Sequence, residues 1–311
     1  MTKILVTGAS GYIGSVLVPI LLSKNYDVHA IDNLMYGQTT LASSISNPRF
    51  TFTRGDVRDF ELIGKCLKGV DIVIPLAAIV GAPACERDPV AASTINREAI
   101  FRMFEMLTKD QRVIMPTTNS AYGHGDKDNY CDENTPLNPL SLYARDKVLV
   151  EKSLMELPNA TSFRLATVFG ISPRMRLDLL VNNFVFKALN DGYITLFEGH
   201  FKRNFIHLLD VVQAFELAIE NPMQFNRQIF NVGLSAANIS KIELCQEITK
   251  LLPSFYFSEA SLGEDPDKRN YIVSNQKIES LGFWANVSLQ DGIAELIKGL
   301  PLFKHNYFSN I

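Results

Sequence analysis

Cysteine is scarce in this chain of 311 residues, and the four present, Cys66, Cys85, Cys131 and Cys245, stand far apart. No Cys-x-x-Cys spacing occurs, so neither a thiolate metal centre nor a disulfide framework is expected. Charge of one sign is equally scarce. A formal charge of −3 does not signal the basic surface of a nucleic-acid binder, and no nucleic-acid partner is expected. Long apolar runs are missing too. Val16–Leu22 and Asp71–Ala84 fall short of the roughly 20 residues of a membrane helix, the second being broken by prolines and a glycine. The N-terminal MTKILVTG lacks a signal-peptide layout. No repeat or low-complexity tract appears. These absences predict a soluble, cytoplasmic protein without a membrane partner. An apolar fraction of 47% is enough for a substantial core.

What is present is an alternation of short β-type runs and helical stretches. Strands are predicted at Lys3–Thr7, Asp27–Asp32, Arg49–Thr53, Asp71–Pro75, Arg112–Pro116 and Thr161–Thr167. Helices are predicted at Tyr12–Ser23, Phe60–Leu67, Pro89–Thr108 and Tyr143–Leu157. Strands that are apolar throughout, such as the start of DIVIPLAA, suit a parallel sheet buried on both faces. The rhythm therefore predicts an α/β fold with a doubly wound parallel sheet. After about residue 170 the order changes. A loop at Ser172–Asp178 leads to helices at Leu179–Asn190, Val211–Asn221, Lys241–Leu252 and Leu289–Gly299, with strands at Ile194–Phe197, Asn204–Leu208, Gln228–Gly233 and Phe255–Phe257.

Residues 3–14 read KILVTGASGYIG, a strand running through Gly8, Gly11 and Gly14 into a helix. A pyrophosphate approaching a helix N-terminus needs backbone free of side chains and gains from the exposed N–H groups. Glycines placed between a first strand and a helix are a specific signal for a dinucleotide. Strand two ends at Asp32, 18 residues after Gly14. A carboxylate there accepts the adenosine ribose hydroxyls and repels a 2′-phosphate. No arginine or lysine lies between Asp32 and Pro48, so NAD is favoured over NADP. Asp56, after strand three, is placed to accept the adenine amino group.

Tyr143 and Lys147 are the only tyrosine and lysine at this spacing, and an i,i+4 pair shares one helical face. An ammonium beside a phenol favours phenolate, which predicts a Tyr143 pKa below its usual value of about 10. Such a phenol is a usable general base. The pair follows strand five, at the sheet edge where ligands bind in open α/β folds. Thr118, at the end of strand five, is placed to hold the reacting oxygen, with Thr117 and Ser120 as competing hydroxyls.

Together these residues resemble the extended short-chain dehydrogenase/reductase family of nucleotide-sugar epimerases, dehydratases and dehydrogenases. TGASGYIG, DNLMYG, GDVRD, LAAIVG, TINREA, TTNSAYG, YARDK, FRLATVFG, RNFIHLLDV, FNVG and LGFWANVSLQDGI occur in the family's order. The resemblance implies a Rossmann-type NAD-binding domain over residues 1–170 plus about 204–233. Residues 171–203 and 234–311 would form a smaller C-terminal α/β lobe for a nucleotide-diphosphate sugar. It implies NAD held by Gly8, Gly11, Tyr12, Ile13, Gly14, Asp32, Asn33, Asp56, Val57, Leu76, Ala77, Ala78, Tyr143 and Lys147, and a catalytic set of Thr118, Tyr143 and Lys147. For the substrate it implies Asn119, Ser120, Thr167, Asn182 or Asn183, and the phosphate-binding Arg203 and Arg269, with Arg174 and Arg176 in the active-site loop meeting sugar or diphosphate. It also implies a homodimer formed through Pro89–Thr108 and Tyr143–Leu157.

Pro75 replaces a histidine that many members carry before LAA, and Thr167 replaces an asparagine near the sugar ring in many epimerases. RLATVFGISPRMRLDLLVNNF and GEDPDKRNYIVSN look like the branch that oxidises GDP-linked manno-heptose at C4 in bacterial capsule pathways. The expected reaction is oxidation of a sugar C4 hydroxyl to a 4-keto sugar, with 4-epimerisation as the alternative. Asn119 and Ser120 occupy positions where the family's dehydratases carry Asp-Glu, so dehydration is disfavoured. An NAD-sensing regulator on the same fold is the reading from another class. Such proteins often lose the tyrosine or the lysine, and both are present here.

Overall fold

A computed structural model describes residues 1–125, 130–260, 263 and 269–303. Seven strands form the central sheet: β1 Lys3–Thr7, β2 Asp27–Asp32, β3 Phe50–Arg54, β4 Ile72–Pro75, β5 Arg112–Thr118, β6 Ala160–Leu165 and, from much later in the chain, Gln228–Val232. That last strand is β10. The order is β3-β2-β1-β4-β5-β6-β10, and every pairing is parallel. The reversal lies between β1 and β4, so the loops after these two strands diverge and leave a crevice at their C-terminal ends.

Burial on both faces follows from the alternation of side chains along each strand. Ile4 and Val6 pack with Leu17, Val18 and Phe215 on one face. Leu5 points the other way, into a cluster with Val73, Met103 and Met115. A third cluster, holding Val181, Phe205, Leu244, Ile293 and Leu296, lies around the smaller sheets. One of these contains β7 Thr167–Phe169, β9 Lys202–His207 and β11 Asn238–Ser240. The other pairs β8 Tyr193–Leu196 with β12 Tyr256–Glu259.

Two expectations are corrected. The run Thr161–Thr167 is not one strand. β6 pairs with β10 as far as Leu165 and Val232, where β10 ends, and Thr167–Phe169 crosses to pair with β9. The helix expected over Pro89–Thr108 ends at Glu105 and contains a π-helical stretch at Thr94–Glu98. There the buried Asn96 clasps Ile79, its Oδ1 accepting from the backbone N–H and its Nδ2 donating to the carbonyl, each at 2.8 Å, while Nδ2 also donates to Cys85 Sγ at 3.8 Å. The chain leaving β4 is thereby fixed at the crevice mouth. The helix Ala82–Arg87, absent from the sequence reading, follows directly.

Candidate active site

The crevice opens into one cleft of about 800 Å³. Gly8, Gly11, Tyr12, Ile13 and Gly14 line one end. Gly8 has φ +64°, and a Cβ there would lie 2.6 Å from the backbone nitrogen of Ala77. Glycine alone allows the exits of β1 and β4 to approach this closely. Leu76, Ala77 and Ala78 form the opposite wall. The helix Gly14–Ser23 starts at Ile13 with no side chain capping it, so its first N–H groups suit a pyrophosphate. These residues fit the dinucleotide that the glycine spacing predicts.

Asp32 lies at the end of β2, largely buried and lining the cleft. Its Oδ2 accepts from Ser10 N–H at 3.0 Å and its Oδ1 from Leu34 N–H at 2.8 Å. Burial pushes its carboxyl pKa up, and these two backbone bonds oppose the shift. Asn33, Asp56 and Val57 line the same end. Asp56, expected to face adenine, lines the cleft and already accepts hydrogen bonds there. Arg58 donates to Oδ1 from its backbone and Nε at 2.9 and 2.8 Å, and to Oδ2 from Nη2 at 2.9 Å. Asn33 Nδ2 adds a bond to Oδ2 at 3.1 Å, so all four acceptor positions are taken. The bonded guanidinium holds this carboxyl well below the usual range.

At mid-cleft, Ser141 caps the helix Leu142–Leu154 through a 3.2 Å bond from Ala144 N–H. Tyr143 and Lys147 follow one turn apart on its cleft side, with Lys147 Nζ 6.0 Å from the tyrosine ring centre. Lys147 Nζ donates to the Pro116 carbonyl at 3.2 Å. The expected lowering of the phenol is overturned. Burial pushes Tyr143 up to about 12, with the Arg176 charge opposing, and burial also pushes Lys147 down to about 8. Desolvation is the largest influence on both groups.

The three hydroxyls of β5 and the turn after it separate. Thr117 lines the cleft, but its Oγ1 donates to the buried Glu151 carboxylate at 2.9 Å and lies 2.9 Å from Ser162 Oγ. Thr118 Oγ1 donates to Ser120 Oγ at 2.9 Å, and both residues line the cleft. Arg269 also contacts the Ser120 hydroxyl, so it reaches the cleft beside Thr118. Arg203, on β9, lines the cleft against the Tyr271 ring, 5.9 Å from its centre. Thr167, Arg174 and Arg176 also line it.

Three expected substrate residues do not line the cleft. Asn182 is spent on the loop before its helix: Oδ1 accepts from Gly170 N–H at 3.1 Å, and Nδ2 donates to Tyr12 Oη at 3.2 Å and the Arg176 carbonyl at 3.0 Å. Asn183 Nδ2 donates to the Leu177 carbonyl at 3.0 Å. Asn119 is buried, its amide without a hydrogen-bond partner. Residues that sequence reasoning missed are Tyr36, Glu86, His124, Asp178 and Tyr271, all in the lining. Tyr36 and Tyr271 sit inside segments already matched to the family, DNLMYG and DKRNYIVSN, and that was the available signal. Among the described residues no cluster of three or more His, Cys, Asp or Glu is placed to hold a metal ion, and no helix is long and apolar enough to cross a membrane.

The model of the NAD dependent epimerase/dehydratase family matches residues 4–233. The chain belongs to this family. It is 30% identical to an uncharacterised UDP-glucose epimerase, YtcB, of Bacillus subtilis, over 95% of this chain and 96% of that one. It is also 30% identical to a putative UDP-glucose 4-epimerase of Methanocaldococcus jannaschii, over 94% and 97%. Among solved structures, the UDP-glucuronic acid 4-epimerase of Bacillus cereus, in complex with UDP-glucuronic acid and NAD, superimposes with a TM-score of 0.85 at 26% identity, covering 97% of this chain and 99% of that one. As a member of the epimerase/dehydratase family the chain is an NAD-dependent enzyme of nucleotide-sugar chemistry. Gly8, Asp32, Thr118, Tyr143 and Lys147 share one cleft in it.

Proposed function

We propose that this epimerase/dehydratase member inverts C4 of a UDP-linked sugar. The observation that carries the reading is that Thr118, Tyr143 and Lys147 line one cleft together with the glycine turn and Arg203, with no carboxylate in the two positions after Thr118. NAD, when bound, would accept the C4 hydride and give it back to the opposite face of the 4-keto sugar, so that the cofactor ends as it began. Tyr143 Oη takes the C4 hydroxyl proton, with the Arg176 charge opposing the burial that raises its pKa, while Thr118 Oγ1 donates to the C4 oxygen and Lys147 would hold the cofactor ribose. Arg203 and Arg269 pair with the diphosphate. In the proposed division of labour, the lobe of residues 171–203 and 234–311 holds the nucleotide sugar.

A second reading keeps the first half-reaction and releases the ketone, as a 4-dehydrogenase of GDP-linked manno-heptose in surface polysaccharide synthesis. It is favoured by the sequence of the loop 172–178, which brings Arg176 to the cleft. Incubation with UDP-, dTDP- and GDP-sugars, followed by mass spectrometry, separates the two. An isomer of unchanged mass from a UDP-sugar is expected. A product about two mass units lighter with accumulating NADH overturns the epimerase in favour of the dehydrogenase. A product about eighteen units lighter overturns both.

We further propose a homodimer through the helices at 89–105 and 142–154. Asp146 ties them together within the subunit, accepting from Ser93 Oγ at 3.1 Å and Arg97 Nη1 at 2.9 Å, while Val90 and Leu149 stay exposed.

A further inference from the structure

The loop 170–178 crosses from the smaller sheets to the glycine turn. Ser172 Oγ donates to the Tyr12 carbonyl at 2.8 Å and lies 3.0 Å from Ser15 Oγ. Tyr12 Oη returns a bond to the Gly170 carbonyl at 2.7 Å. Ile171 N–H donates to Glu295 at 2.9 Å, and Asn182 holds Gly170 and the Arg176 carbonyl as described above. Gly170 has φ +119°, and a Cβ there would lie 2.5 Å from His207 Nε2, so the loop enters along a path only glycine allows. This strap is pinned at both ends and at the glycine turn.

The charges of both arginines bear on Tyr36, but it is Arg174 that lies over its ring. Arg176 pairs with Asp178, and its charge bears on Tyr143 at the catalytic centre. Arg174 is 3% exposed, and its guanidinium lies 4.5 Å from the centre of the Tyr36 ring. Tyr36 stands four residues beyond Asp32, on the exit of β2. Asp32 feels the charge of Arg174. A planar guanidinium stacks on an aromatic face and also pairs with a phosphate.

We infer that Arg174 is a cofactor residue rather than a substrate residue: stacked on Tyr36 and held by the Ser172 strap, it closes the adenosine half of the NAD site and retains the dinucleotide. A guanidinium more than a hundred positions away in the sequence thus comes within electrostatic reach of Asp32, whose carboxylate still opposes a 2′-phosphate. The inference rests on NAD as cofactor and not on which sugar is used.

The test uses the full-length protein loaded with labelled NAD. Its release is followed after addition of excess unlabelled NAD, and UDP affinity of the loaded protein is measured by calorimetry. In Arg174→Ala, NAD release is expected to be at least about tenfold faster, the equivalent of about 1.4 kcal/mol, while UDP affinity stays within about twofold. Tyr36→Leu, which removes the stacking surface and leaves the arginine, should accelerate release in the same direction. Unchanged release in both variants overturns the inference. So does a loss of UDP affinity in Arg174→Ala with release unchanged, which would return the residue to the substrate. If the unmodified protein binds no UDP, the nucleotide in the proposed function is wrong, and the release measurement still decides the role of Arg174.

Discussion

Thr117 and Thr118 are neighbours on β5 and both line the cleft, yet their hydroxyls bond to different partners. Thr117 donates to Glu151, whose carboxylate is also bonded by Ser162 Oγ at 2.7 Å and Arg164 Nη2 at 2.7 Å. Thr118 lies in the cleft beside Ser120. Thr118→Val should therefore lower turnover by roughly tenfold, the worth of one positioning hydrogen bond, with thermal stability unchanged. Thr117→Val should do the reverse. It leaves a buried carboxylate one donor short and costs about 1–3 kcal/mol of stability. Parallel denaturation and turnover measurements check both, and a shared profile would reject the separation.

Tyr143→Phe retains the ring and deletes the proton acceptor. Turnover should fall by about 10²–10⁴, the usual contribution of a general base. NAD binding, followed by fluorescence titration, should persist. Residual turnover near that of the unmodified protein would place the base elsewhere in the cleft.

Lys147 gives a pH signature in the cofactor-free protein. Burial lowers its pKa from 10.5 to about 8, so between these values the unfolded chain binds more protons than the folded one. Stability contributed at this site therefore rises with pH through that window. Below pH 8 the native state carries a buried charge, and Lys147→Met should be the more stable protein. That advantage should shrink steadily from pH 8 to 10. Urea denaturation of both proteins at several pH values measures it, and a constant difference would count against the burial of this ammonium. Tyr143 works in the opposite sense above pH 10, where its raised pKa keeps the native phenol protonated after the unfolded one has ionised.

Asp32 should make NAD bind at least about tenfold tighter than NADP, or roughly 1.4 kcal/mol. Asp32→Ala should erase much of that preference, because the Arg174 guanidinium then faces a 2′-phosphate without an opposing carboxylate. Equal binding of both cofactors by the unmodified protein would sink the assignment.

Much of this protein was legible from local signals. The glycine turn, Asp32, and the Tyr143–Lys147 pair are short-range patterns. They depend on one strand-turn-helix or on one helical face, and local backbone geometry suffices to interpret them. The βαβ alternation likewise announces a doubly wound sheet, since each element's periodicity is set by its own residues. The helix Ala82–Arg87 escaped notice because its six residues are too few to establish a period.

The linear sequence determined the fold class, the dinucleotide turn and the identity of the catalytic candidates. It could not determine what each polar side chain is spent on, because that depends on partners distant in the chain. Asn182 and Asn183 resemble ligand-binding amides until the loop before them takes their hydrogen bonds. Asp56 resembles an open acceptor until Arg58 and Asn33 fill it. The Tyr143 phenol looks acidified by its lysine neighbour until burial, a property of the assembled cleft, reverses the shift. Arg174 meets Tyr36 only because the loop after β7 folds back to the glycine turn. Desolvation and long-range hydrogen bonding act through space rather than along the chain, so only the tertiary structure could decide them.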